Sequence, residues 1–431
     1  MYTCLVTRIK TSDIPNAETI QKANCSGYQC IVGKNHKDGE LGIFFPSDGQ
    51  ISTNMAKANK LCRMDGGYLE SNRRVKTIKL MGIHSEGIWL PLSSLEWITT
   101  SNPEFVDSFK VKNFVGEISD LKEGDSFTHF NGISVCKKYR IRKQKVKGET
   151  KPLTLREKIQ KRIDTFFKKG VEKTFPKHYD TEKIQHMFAD KHIPQYSSYF
   201  ITQKVHGTSQ RSGYVKRPFW FGYKYFLGTR NTVKSNEKSS EQYRNIAHEI
   251  IRSYLRKGEV FYYEIVGYGE RGAIMPPHKI KHRLYPTDMY YSYGMKPVSE
   301  GSVPKYEENF DIYVYRITQD GRELDYLEML DRLGGIGIKP VPHIETGYWN
   351  SENLKEDNAK QIFLDHLATI ADAPNGIDPS HISEGVCVRF ETTEGQVLVV
   401  KYKSWLFCDC EGIAKNSDTY HDPEDEGLDE E

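Results

Sequence analysis

Between Lys137 and Phe175 the sequence carries fifteen Lys or Arg residues against four Asp or Glu. A run of that charge belongs on a solvated linker or helix face, so the 431 residues divide into two units with separate cores. Inside it, "TLREKIQKRIDTFFKKG" puts Ile159, Ile163, Phe166 and Phe167 at helical spacing ahead of Gly170. That spacing predicts a linker helix within 136–174, and the position of the segment between two units makes phosphate-backbone contact an expectation.

Residues 1–135 read as short strands: "YTCLVTRI", "YQCIVGK", "LGIFFP" and "GIWLPL", bounded by Asn, Asp, Gly and Pro. The pattern predicts a small β-barrel; an OB-type barrel fits the strand count, and periodicity alone does not separate it from other small barrels. Residues 175–410 read as α+β. In "EQYRNIAHEIIRSYLRK", Ile246, Ile250, Ile251, Tyr254 and Leu255 share a helical face, with Ser239 or Ser240 as cap and Gly258 as stop. Around that helix lie the strand-like runs "FYYEIVGY", "DIYVYRIT", "GVCVRFE" and "QVLVVKYK". Thr393-Glu394-Gly395 is a hairpin turn joining the last two. Residues 411–431 have the composition of a disordered acidic tail.

The net charge of +3 hides an asymmetry. Eight acidic residues and no Lys or Arg lie between Asp418 and Glu431, which leaves +3 − (−8) = +11 on the remainder, a charge suited to a polyanion. Eight cysteines without paired C-x-x-C spacing argue against both a disulfide framework and a structural zinc site. No secretory leader or uncharged apolar span is apparent, so a soluble, intracellular protein with no membrane partner is expected, acting as a monomer.

The candidate chemistry starts at "YFITQKVHGTSQRSG", where Lys204 ends a strand-like run and leads into His206 and Gly207. K-x-x-G recurs at Lys79–Gly82 and Lys145–Gly148, so that spacing alone decides nothing. Context does: "LGTRN" with Arg230, "FYYEIVGYG" with Glu264, "IYVYRI" with Tyr315, "EGVCVRF" with Glu384 and "VVKYKSW" with Lys401 and Lys403 follow in order. This ordered set resembles the covalent nucleotidyltransferases, which include RNA ligases, DNA ligases and mRNA capping enzymes. "KVHG" resembles the nucleophile motif, with His206 where many members have Asp. "GTRN" is similar to the arginine motif, "YYEIVG" to the ribose-binding acidic motif, "IYVYRI" to the base-stacking motif, "EGVCVR" to the metal motif and "KYK" to the terminal lysine motif.

The resemblance implies a catalytic Lys204, nucleotide contacts from His206, Gly207, Arg230, Glu264, Tyr315, Lys401 and Lys403, and a metal at Glu384. A lysine amine attacks a phosphate only when neutral, and neighbouring cations favour that form. Lys401 and Lys403 share one strand face and would raise the local positive potential and hold a triphosphate. Glu384 would take Mg2+ or Mn2+, Glu264 would accept from ribose hydroxyls, and Arg230 would clamp the bound 5′ end.

Only 28 residues follow Lys403, which leaves no room for the C-terminal OB domain of DNA ligases and capping enzymes. Stretches such as "GELGIFFPSDGQIS" and "FPKHYDTEK" resemble instead the RNA ligases with an N-terminal OB-fold, over roughly residues 1–405. The resemblance therefore implies an ATP-dependent RNA ligase that joins 3′-OH and 5′-phosphate ends through lysyl-AMP and an adenylylated 5′ end. Two other readings are a GTP-dependent capping guanylyltransferase and an inactive nucleic-acid-binding protein. The barrel would grip nucleic acid, with Arg73, Arg74, Lys76 and Lys79 as a basic strand-like stretch for phosphate contact.

Overall fold

One long strand organises the N-terminal unit. β1 (Cys4–Asp13) pairs through Leu5–Arg8 with β4 (Leu41–Pro46) and through Ile9–Asp13 with β2 (Ile20–Cys25). β2 continues to β3 (Tyr28–Gly33), and a short hairpin, β5 (Ile78–Leu80) and β6 (Ile83–Ser85), precedes β7 (Gly87–Pro91) on the far side of β4. The order β3-β2-β1-β4-β7 is an antiparallel sheet coiled around two apolar clusters, one holding Val6, Ile43, Phe45 and Phe127 and the other Ile9, Tyr28, Phe44 and Trp89. Cys136–Lys138 adds to Gly49–Ile51, so this unit reaches Lys138.

The computed structural model describes residues 2–98, 111–139, 175–179, 181–189, 193–194, 196–216, 222–230, 233–234, 239–278, 289–350 and 357–411. The expected linker helix and the acidic tail beyond Glu411 lie outside these residues.

The second unit is built on two antiparallel-rich sheets. The first has the order β8-β16-β15-β9-β14, where β8 is Glu182–Lys183, β9 Ser197–Gln203, β14 His343–Trp349, β15 Gly385–Thr392 and β16 Val397–Lys403. In the second, β11 (Tyr223–Thr229), β10 (Thr208–Lys216), β12 (Glu259–Gly269) and β13 (Phe310–Gln319) lie side by side in that order. Helices α1 (Gln242–Tyr254) and α2 (Tyr326–Gly334) cover the second sheet, burying Ala247, Ile251, Met329 and Leu333 against Phe261, Tyr263, Ile265, Ile312 and Val314. Helix α3 (Asp357–Ala371) covers the first through Phe363, Leu364 and Leu367. A last short helix, α4 (Trp405–Cys410), follows β16.

The helix read at 241–257 is α1, with two corrections. Its N-cap is Glu241, and Ser239 accepts the Glu241 amide through its hydroxyl instead of capping the helix. Tyr254 points outward, because the chain turns away at Leu255.

Polar contacts tie the two units together. Lys183 Nζ reaches Ser47 Oγ at 2.9 Å, and Asn24 donates to Gln361 at 2.6 Å. Lys79 and His84, opposite one another in the β5–β6 hairpin, both bind Asp409 of α4, His84 at 2.7 Å, while the His84 ring stacks on Trp405 at 4.3 Å. Burial opposes ionisation of Asp409, but His84 and Lys79 outweigh it and hold its carboxyl below the usual range.

A buried ion pair in the core of the second unit joins three elements. Arg332 of α2 meets Glu259 at 2.7 and 3.0 Å and donates to the Tyr254 carbonyl at 2.6 Å, with side chains 6% and 3% exposed. Removing one partner leaves the other charge buried and uncompensated. Arg332→Ala should therefore cost about 3–5 kcal/mol, read as a lowered urea midpoint for this unit; a loss within experimental error would contradict it.

Candidate active site

β9 runs beside β15 from Ser197 opposite Thr392 to Gln203 opposite Val386, and the Lys204 amide then donates to the Gly385 carbonyl at 2.9 Å. There the chain leaves the first sheet, crosses in the turn Lys204–Gly207, and enters the second sheet as β10. The crossing is tight: a Cβ on Gly207 would stand 2.6 Å from the Ile265 carbonyl oxygen of β12. Glycine is required at that approach. The lysine is thus delivered to the seam between two sheets.

Strand alternation explains which side chains meet it there. Val386, Val388 and Phe390 of β15 and Val400 and Tyr402 of β16 pack toward the helical layer. Their odd-numbered neighbours Cys387, Arg389, Val399 and Lys401 line a cleft between the sheets, together with Lys204. The hairpin through Gly395, with φ +79°, sets Gly385 opposite Lys403 and Cys387 opposite Lys401. Glu384 precedes β15 by one residue, and its carbonyl accepts the Ser404 amide at 3.0 Å.

Three cationic or imidazole groups surround the Glu384 carboxylate, whose side chain is 3% exposed. Lys204 Nζ lies 2.6 Å from Oε1, Lys403 Nζ 3.6 Å from the same oxygen, and His206 Nδ1 3.3 Å from Oε2. Burial alone would raise the Glu384 pKa. The Lys204 ammonium, the His206 hydrogen bond and charge, and Lys403 reverse that and hold it at about 2.

The second sheet forms the opposite wall. On β12, Phe261, Tyr263 and Ile265 face the helices, so Glu264 faces the cleft beside Ser209, its partner on β10. On β13 the register slips by one residue, with Tyr262 opposite Arg316 and Tyr263 opposite Val314. This bulge leaves Tyr315 as the extra residue and turns it into the cleft, where its hydroxyl lies 2.8 Å from Ser209 Oγ. Burial, followed by the Glu264 charge, pushes the Tyr315 phenol well up. Arg230 lines the cleft just beyond the end of β11. The empty space, mouth included, is ≈ 820 Å³, within the range of small-molecule sites.

Lys204, Arg230, Glu264, Tyr315 and Lys401 therefore share one cleft, and Glu384, His206 and Lys403 join Lys204 through the carboxylate network. Gly207 serves the crossing. Arg73, Arg74, Lys76 and Lys79 are not brought to this site, and only Lys79 lies in a strand. Arg73 donates to the Ile51 and Ser71 carbonyls; Arg74 pairs with Asp48 at 3.6 Å and lies over the Tyr139 ring; Lys79 binds Asp409. Arg74 and Lys76 line a separate, largely apolar cavity of the N-terminal unit.

Sequence reasoning missed His178, Tyr179 and Arg389 as cleft residues. The His178 ring stands edge-on to Tyr315 at 5.0 Å. Arg316 lies over the Tyr179 and Tyr262 rings at 4.4 and 4.5 Å and pairs with Glu323, which also binds Arg389. "FPKHYDTEK" was the available signal for the first two. Among the described residues no group of three or more His, Cys, Asp or Glu side chains converges as a metal site. Glu264 lines the cleft and Glu384 adjoins it through Lys204, and each offers a hard carboxylate oxygen.

Residues 197–403 match the family model for RNA ligase, and residues 4–92 match a model for an OB-fold domain. The stretch similar to RNA ligases is thus preceded by one similar to an OB-fold domain. No curated protein matches in a sequence search. Among solved structures, Naegleria gruberi RNA ligase with PPi is similar at TM-score 0.52 and 16% identity, covering 94% of this chain and 97% of that one. A mutant of the same ligase with ATP and Mn matches at TM-score 0.53 and 15% identity, covering 95% and 99%. Another with AMP and Mn matches at TM-score 0.53 and 16% identity, covering 94% and 98%. At such identity the likeness establishes a shared fold.

Two outcomes follow from the geometry. The folded-state pKa of Glu384, about 2, lies below its ordinary 4.5. Its contribution, on the order of 3 kcal/mol, is complete above the ordinary value and is lost as pH falls toward 2. Glu384→Gln should be less stable than wild type at neutral pH, with the gap narrowing through that acid window in chemical denaturation. Gly207→Ala should crowd the Ile265 carbonyl and cost about 1–3 kcal/mol, read as a lowered urea midpoint for this unit.

Proposed function

We propose that this chain is an ATP-dependent RNA ligase that uses Lys204 as nucleophile and joins 3′-OH to 5′-phosphate ends. The observation that carries the reading is the placement of Lys204 at the seam of two sheets, in one cleft with Arg230, Glu264, Tyr315 and Lys401 and paired with Glu384. The ATP and Mn complexes of Naegleria gruberi RNA ligase, which shares this fold, support both the nucleotide and a divalent metal, Mg2+ or Mn2+.

In this reading Tyr315 offers its ring to the base, Glu264 accepts hydrogen bonds from ribose hydroxyls, and the triphosphate lies toward Lys401 and Lys403. The Lys204 ammonium, released from Glu384, loses its proton to solvent, and the neutral amine attacks the α-phosphorus, its second proton also passing to solvent as the bond forms. The N–P bond forms, the bond from phosphorus to the bridging oxygen breaks, and pyrophosphate leaves with that electron pair. Lys401 and Lys403 stabilise the charge on the phosphate oxygens. Glu384 is the residue that would hold the metal, and a carboxylate oxygen suits a hard cation; a bound metal would supply further charge stabilisation at the α-phosphate.

Lysyl-AMP then gives its AMP to a 5′-phosphate, the Lys204 N–P bond breaking as a phosphoanhydride forms. Arg230 pairs with the incoming phosphate. In the last step a 3′-OH attacks the 5′-phosphorus and displaces AMP, forming the phosphodiester. The OB-fold domain holds RNA beside the cleft, in keeping with how such folds bind oligonucleotides.

Incubation with α-labelled ATP or GTP and Mn2+ tests the reading. ATP should label the protein, GTP should not, Lys204→Ala should abolish the label, and nicked RNA should then be sealed. Lys401→Ala should slow labelling by about 10²–10³-fold. Labelling by GTP alone would establish a guanylyltransferase instead, and no labelling would leave a binding protein.

A further inference from the structure

The turn that carries Lys204 is held from behind by a feature that the chemistry above does not use. Tyr293 is buried, and its hydroxyl oxygen lies 2.6 Å from the His206 amide nitrogen, which donates to it. The residue has φ +52°, a left-handed conformation that bulky side chains rarely adopt, and Gly294 follows at φ +77°. Strain of this kind persists only where the surroundings fix it.

Those surroundings are explicit. Asp378 Oδ2 accepts the Gly294 amide at 2.8 Å and the Ser292 hydroxyl, bracketing Tyr293 on both sides. His381 Nδ1 lies 3.0 Å from the Ile382 carbonyl and donates to it, leaving Nε2 to accept the Tyr293 amide at 3.4 Å. Burial lowers the His381 pKa and so favours that neutral ring. The Tyr293 ring also meets His381 edge-on at 4.6 Å. From the same turn, Tyr291 presses its ring edge-on to the His206 ring at 4.7 Å and donates its hydroxyl to Glu411. The segment that supplies Asp378 and His381 runs on to Glu384, the partner of Lys204.

We propose that Tyr293 is a positioning residue for Lys204: its hydroxyl, aimed by the strained and Asp378-bracketed turn, fixes the His206 peptide and so the direction in which the lysine leaves the first sheet. The inference rests on Lys204 being the nucleophile. Burial holds the phenol well above its ordinary pKa, so the hydroxyl stays neutral. A tyrosine that only filled the apolar cluster around Val205 and Val266 would be replaced by phenylalanine without effect, because the ring fills the same slot.

Tyr293→Phe in the full chain separates the two accounts. Hydrogen–deuterium exchange is read by mass spectrometry on the peptide spanning Lys204–Gly207, and the rate of adduct formation is followed against ATP concentration. Exchange at the His206 amide should rise about tenfold, the effect of losing one hydrogen bond. The maximal rate should fall by a similar factor while the half-saturating ATP concentration stays unchanged. Unaltered exchange and rate in a folded variant would overturn the proposal. If wild type forms no adduct, the reading of Lys204 as nucleophile fails, and exchange alone still decides whether Tyr293 fixes the turn.

Discussion

The salt bridge between Lys204 and Glu384, 2.6 Å long and almost wholly buried, is the point to which both sheets of the catalytic unit refer. Its two members are 180 residues apart in sequence. They meet because β9 pairs with β15 in a register that ends on the bond from the Lys204 amide to the Gly385 carbonyl. A one-residue slip of either strand would turn the odd-numbered cleft residues of β15 and β16 into the helical core. The valines and phenylalanine on the even-numbered face prevent that slip, so the core that stabilises the sheet also aims the functional side chains.

The same arrangement explains how the N-terminal domain is tied to the cleft. Asp409 lies on the short helix that follows Lys401 and Lys403, and Phe407 of that helix packs edge-on against His206 at 5.1 Å. Lys79 and His84 hold Asp409 from the OB-fold side. Charge on the first domain is thereby connected through one helix to the strand bearing two phosphate-binding candidates.

Much of this was legible in the sequence. Alternation in "GVCVRFE" and "QVLVVKYK" gives both the hairpin and the shared face of Lys401 and Lys403, because a strand has a period of two and each face must be apolar or functional. The resemblance singles out Tyr315 as a nucleotide contact, but the bulge that turns it into the cleft is a tertiary event, visible only once β12 and β13 pair. The basic stretch at Arg73–Lys79 is a different case. Charge density suggested phosphate contact, whereas Arg74 and Lys79 have carboxylate partners, one of them 330 residues away. Tyr293 gave no signal at all, since neither a left-handed φ nor a hydrogen bond to a distant amide leaves a pattern in composition or spacing. Residue type points to Ser239 or Ser240 as the cap, and Glu241 takes that place while the Ser239 hydroxyl serves the preceding turn.

The central claim is that Lys204, and no other residue, carries the nucleotide. The most direct measurement is mass spectrometry of peptides from the ATP-treated protein, digested at neutral or mildly alkaline pH to preserve a phosphoramidate. The account predicts AMP on the peptide containing Lys204 and on none other, with fragmentation placing it on that side chain. AMP on Lys401, Lys403 or any residue outside the cleft would contradict it.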